Sequence, residues 1–150
     1  MTKRPLAESV SLPVQDAPPP DVQNEDTATA VRLAVGAAVD KMAADVKVFE
    51  VGELTHFTDY FVLCSGQSSR QVQAIADGVE ERLRQRKVRP AHVEGYATGQ
   101  WVLMDYGDFV LHVFLGERRR FYGLERLWGD APDMTAAFVD AGEQPDRARL

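Results

Sequence analysis

Residues 94–115 read EGYATGQWVLMDYGDFVLHVFL and constrain the fold more than any other stretch. Two apolar, β-rich runs, 100–106 and 109–115, flank the dipeptide Gly107-Asp108. A two-residue loop with Gly at its first position is the signature of a II′ or I′ hairpin. Closing the hairpin there pairs Tyr106 with Phe109, Met104 with Leu111 and Val102 with Val113. Side chains alternate along a strand, so these residues share one wholly apolar face, which helices must cover. The opposite face sets Trp101 against Phe114, Leu103 against His112 and Asp105 against Val110. Large apolar groups edged by a carboxylate admit two readings. One is a protein–protein interface; the other is a face buried under a further helix, with Asp105 at the wet turn end.

A chain of 150 residues has room for one domain with a real core. Its net charge of −6 argues against a protein that lives on a nucleic-acid phosphate backbone. Cys64 is the single cysteine, which excludes an internal disulfide and a multi-cysteine zinc site. It lies inside the run Tyr60-Phe61-Val62-Leu63-Cys64, where a small buried hydrophobe is expected. No apolar run approaches the roughly 20 residues a membrane helix needs. A reducing cytoplasm and no membrane partner fit these features.

Along the chain, residues 1–27 hold five of the eight prolines and no glycine. Such a stretch buries too little apolar surface to offset ordering, and a disordered Pro-rich tail is expected. In residues 29–44, Val31, Ala34, Val35, Ala38, Val39 and Met42 recur at helical spacing. Residues 45–51 then alternate as a strand. Tyr60 to Cys64 forms a continuous apolar run, the pattern of a strand buried on both faces. Ser68 and Gln71 have capping-box spacing at the start of a second helix, whose stripe is Val72, Ile75, Ala76, Val79 and Leu83. Lys87 and Arg89 suit its C-terminus, and Pro90 prevents continuation. A short strand over 91–95 leads into the hairpin. Phe121, Leu124, Leu127 and Trp128 predict a last helix over 117–128, and Pro132 with a polar remainder closes the ordered part. The order α-β-β-α-β-β-β-α predicts an α+β fold: a mixed five-stranded sheet with flanking helices. The expected domain spans 28–132, with a flexible C-terminal tail over 133–150.

Catalytic readings find little support. A strand ending in Ser65-Gly66 and opening a helix is shared with nucleotidyltransferases, where backbone amides hold a phosphate. Nucleotidyl transfer also needs paired carboxylates for magnesium, and no Asp-x-Asp or Glu variant occurs. Glu94 stands alone, and Asp105 and Asp108 straddle a turn. Gly-Lys-Ser/Thr and the dinucleotide fingerprint are absent. His56, His92 and His112 are widely separated and share no ligand motif, so no metal or cofactor is expected. His112 reads as a strand histidine paired with Asp105 or a hydroxyl. The run Glu117-Arg118-Arg119-Arg120 reads as a solvated helix face that could also rim an interface.

The same residues carry a family resemblance. The blocks run from Asp40-Lys41 with Asp45-Val46 and Thr58-Asp59-Tyr60-Phe61-Val62 through Cys64-Ser65-Gly66, Ser68-Ser69-Arg70-Gln71-Val72 and Ala74-Ile75-Ala76-Asp77 to Glu94-Gly95. Trp101 to Asp108, His112-Val113-Phe114 and Phe121 to Trp128 follow. Together, over residues 29–132, they resemble the ribosomal silencing factor family, also called Iojap-like. The resemblance implies a non-catalytic, nucleotidyltransferase-like topology without the catalytic carboxylates. It further implies binding to the large ribosomal subunit through its ribosomal protein number fourteen. Subunit joining would then be blocked and translation repressed when nutrients are scarce. Its contact motif falls on Trp101, Leu103 and Asp105, with Tyr106 and Asp108 at the turn. Beside that motif, Arg118, Arg119 and Tyr122 are read as a possible interface rim. A homodimer is also implied. The alternatives are a divergent magnesium-dependent nucleotidyltransferase using Ser65, Gly66 and Glu94, and a self-associating scaffold.

Overall fold

The computed structural model describes residues 20–116 and 130–139. Helix α1 (Pro20–Asp40) leads into strands β1 (Ala44–Glu50) and β2 (Tyr60–Gly66). Helix α2 (Ser69–Arg84) follows, then β3 (His92–Glu94), β4 (Trp101–Asp105), β5 (Phe109–Leu115) and the short α3 (Thr135–Phe138). The strands form one sheet in the order β1-β2-β5-β4-β3. Among the described strands, β2 and β5 run parallel and the other neighbours are antiparallel. This is the expected α+β fold with a mixed five-stranded sheet.

The hairpin closes in the expected register, with Val102 opposite Val113, Met104 opposite Leu111 and Trp101 opposite Phe114. Tyr106 N–H donates to the Phe109 carbonyl at 2.9 Å. Gly107 has φ +88° while Asp108 keeps a negative φ, which selects the II′ turn. Val102, Met104, Phe109, Leu111 and Val113 are buried against α1 and α2, in a core with Val31, Ala34, Ile75 and Leu83. Each such aliphatic side chain contributes about 1.5–3 kcal/mol on burial. Small residues let the two helices approach closely: Gly36 faces Arg82, and Gly78 faces the Lys41 stem. An Arg82–Asp40 ion pair caps that contact at the surface.

As expected of an apolar run without alternation, β2 is buried on both sides. Val62 and Cys64 join the helix-facing core, and Phe61 and Leu63 join a second cluster with Phe49, Val51, Val110, Phe114 and Ala131.

The start of α2 is held by side chains. Ser68 Oγ accepts from Gln71 N–H at 3.0 Å, and Gln71 Oε1 accepts from Gln67 N–H at 2.7 Å. The reciprocal bond thus lands one residue ahead of the usual capping-box position. Gln71 Nε2 also donates to the carbonyls of Lys41 and Met42, tying α2 to the α1–β1 connection. Ser68→Ala is expected to cost about 1 kcal/mol, measurable by urea unfolding.

Several expectations are corrected. Residues 20–27, inside the stretch read as tail, already belong to helix α1. The helix stops at Asp40, and Met42 lies beyond it with φ +66°, 65% exposed, rather than in the core stripe. Helix α2 ends at Arg84, so Arg82 and Arg84, not Lys87 and Arg89, fill its last turn. Residues 132–135 are not a free tail. Asp133 bridges Phe49, the Pro132 carbonyl accepts from Glu50 N–H, and Thr135 Oγ1 accepts from Val48 N–H. The outer edge of β1 would otherwise leave those amides unpaired, and this segment satisfies them. The expected helix over 117–128 lies outside the described residues.

Candidate protein-interaction site

The mixed face of the hairpin divides into a buried half and a half-exposed one. On β5, Val110, His112 and Phe114 are buried, because β5 lies between β2 and β4 and shares the second cluster with Phe61 and Leu63. On β4, nearer the sheet edge, Trp101, Leu103 and Asp105 are only partly buried. Trp101 and Leu103 pack onto the cluster from its open side.

The tryptophan is held from several directions. Its ring stacks on Phe114 with centroids 5.2 Å apart, and its Nε1–H donates to His112 Nδ1 at 3.1 Å. His112 therefore pairs with the indole rather than with Asp105 or a hydroxyl. Ahead of Trp101, the 95–99 loop is gripped by α2: Gln73 Nε2 donates to the Tyr96 carbonyl at 2.8 Å, and Tyr96 Oη donates to Asp77 at 3.0 Å. Gly95, at φ +82°, passes so close to the Trp101 carbonyl that an added Cβ would lie 2.0 Å from it. Only glycine fits there.

The other motif residues are dispersed. One Asp105 carboxylate oxygen accepts from Gly107 N–H at 2.8 Å, an Asx bond that shapes the turn. Tyr106 lies on the helix-facing side, stacked on Phe109 at 4.9 Å, and burial raises its hydroxyl pKa well above the usual value. The structure does not bring Tyr106 to the Trp101 face. Asp108 is exposed at the turn and accepts from Thr27 Oγ1 of α1 at 3.3 Å. Arg118, Arg119 and Tyr122 lie outside the described residues.

At the Ser65-Gly66 turn, the amides of Gln67, Gln71 and Val72 are already taken by Gln71, Ser68 and Ser68 respectively. A Cβ on Gly66 would lie 3.0 Å from the Val72 side chain, so glycine is there for helix–strand packing. Glu94 is exposed beside His92 at 2.5 Å. Among the described residues, no cluster of three or more His, Cys, Asp or Glu could hold a metal ion. No helix among them is long and apolar enough to cross a membrane.

These features define a small α+β domain whose accessible chemistry is an anchored tryptophan on the rim of a sheet. The sequence profile of "Ribosomal silencing factor during starvation" matches residues 24–149. Ribosomal silencing factor RsfS of Bacillus subtilis is 39% identical over 102 residues, covering 68% of this chain and 86% of that protein. A crystal structure from Chromobacterium violaceum superposes with a TM-score of 0.66 at 36% identity, covering 67% of this chain and 84% of the other. A mouse protein named for mitochondrial assembly of the ribosomal large subunit is 35% identical over 89 residues, 57% of this chain and 39% of its own length. The chain belongs to the ribosomal silencing factor family.

Proposed function

We propose that this protein binds the large ribosomal subunit through the half-exposed β4 face and thereby keeps the two subunits apart, lowering translation. One observation carries the reading. Trp101, Leu103 and Asp105 alternate onto one side of β4, and that side stays partly open while its β5 neighbours Val110, His112 and Phe114 are buried. An aromatic anchor with an aliphatic neighbour and a carboxylate is the composition of an interface hot spot. The family's name supports a ribosomal target, and the mouse relative named for large-subunit assembly supports the choice of subunit. The docking protein is ribosomal protein number fourteen, and about 800 Å² is covered on this side if the contact is of standard size. The role is steric and regulatory, not catalytic, and a homodimer through the same patch would compete with ribosome binding.

Sedimentation with purified subunits tests this. The protein should travel with large subunits, and pre-bound large subunits should fail to join small ones at ionic conditions that otherwise favour joining. Failure to associate, or normal joining with the protein bound, overturns the proposal. A chain of net charge −6 with Asp105 at the contact should bind a basic ribosomal protein less tightly as salt rises. Raising salt from 50 to 300 mM is expected to weaken binding several-fold, chiefly through slower association; salt-independent affinity would contradict the charge pairing.

A further inference from the structure

We infer that His112 is a positioning residue for the partner-binding tryptophan: its neutral imidazole accepts the Trp101 indole N–H and holds the ring in its docking orientation. This inference rests on the assignment of the β4 face as the ribosomal contact.

The geometry leaves His112 little else to do. The residue is 4% exposed and sits edge-on to Phe61 at 5.2 Å, nearly parallel to Phe114 at 6.0 Å. Packed so, the ring cannot swing to another partner. Its Nδ1 accepts from Trp101 Nε1–H at 3.1 Å, so the proton of the neutral ring resides on Nε2. That Nε2 is buried and has no acceptor among the described residues. A buried donor without an acceptor is costly, and a phenyl ring of similar shape among Phe61, Phe114 and Trp101 would avoid that cost. What histidine supplies and phenylalanine does not is an acceptor aimed at the indole.

The bond acts diagonally across the hairpin. Leu103 is directly opposite His112, and Trp101 is directly opposite Phe114, two residues further along β5. Phe114 therefore supplies a flat support for the indole, and His112 fixes its rotation about that support. Holding an aromatic anchor in its bound rotamer before encounter spares the ordering cost at binding, the usual source of affinity from preorganisation.

Binding to purified large subunits, measured with Trp101→Ala, His112→Phe and His112→Asn, tests the inference. Phenylalanine keeps the ring and loses the acceptor; asparagine places an amide oxygen near the position of Nδ1. His112→Phe should bind about 3- to 10-fold more weakly at unchanged or improved thermal stability, and His112→Asn should recover affinity despite its smaller side chain. A purely structural role would give the reverse order, since asparagine packs worse than phenylalanine here. Nitrogen-15 spectra of the wild-type imidazole give a second readout: protonated Nε2, bare Nδ1 and a hydrogen-bonded Trp101 indole proton are expected. If Trp101→Ala weakens binding but His112→Phe does not, the positioning role is overturned while the β4 contact stands. If Trp101→Ala binds normally, the contact itself fails and this inference falls with it. An Nδ1-protonated ring overturns it independently, even if a variant does not fold.

Discussion

Trp101→Ala should lose about 30-fold or more in affinity for the large ribosomal subunit, a cost of at least about 2 kcal/mol. The indole is the largest side chain on the half-exposed part of the sheet, backed by Phe114 and tethered to His112. Truncation removes the anchor and also leaves the buried His112 Nδ1 without its donor. The variant should therefore be somewhat less stable, by about 1–3 kcal/mol, while the fold survives, because the helix-facing core is on the other side of the sheet. Equilibrium binding alongside urea unfolding separates the two effects. Equal affinity in a folded variant would remove the anchor role. Leu103→Ala should weaken binding less, having less area to lose.

The second large effect is on stability against pH. Burial lowers the His112 pKa from 6.5 to about 4. In the unfolded chain the imidazole takes its proton near pH 6.5, whereas in the fold it does so only near pH 4. Between those values the unfolded state holds more protons, so stability rises with pH and is lost on acidification. Two and a half pKa units correspond to about 3 kcal/mol, complete once pH falls below about 4. Protonation at Nδ1 would also set two donors face to face across the Trp101 bond. The charged residues that share this sheet face, Lys47 on β1, His92 and Glu94 on β3 and Asp105 on β4, are at its periphery and partly or wholly exposed. Unfolding midpoints of wild type and His112→Phe should diverge steadily from pH 7 to pH 4.5, the variant losing less. Parallel curves would contradict a buried neutral histidine.

Much of this was legible in the sequence for physical reasons that are local. Alternation and a glycine-led turn fix the register of residues 100–115, and the register alone places Trp101, Leu103 and Asp105 together. The capping pair Ser68 and Gln71 and the run from Tyr60 to Cys64 were readable in the same way. What periodicity cannot tell is what covers a face. The parallel pairing of β2 with β5 joins Tyr60 to Phe109 across the intervening chain, and it buries Val110, His112 and Phe114 while leaving β4 near the edge. The Trp101–His112 bond was missed because it is a diagonal contact, reached only by long aromatic side chains. The edge-sealing segment around Asp133 acts mainly through its backbone, so its polar composition disguised it. The Pro-rich composition likewise hid the helical conformation of residues 20–27.

Hydroxyl-radical footprinting of Trp101, read by mass spectrometry with and without large subunits, tests the central claim most directly. The half-exposed indole should oxidise readily in the free protein and become protected on adding large subunits, but not on adding small ones. Unchanged oxidation of Trp101 in a complex that demonstrably forms would contradict the account.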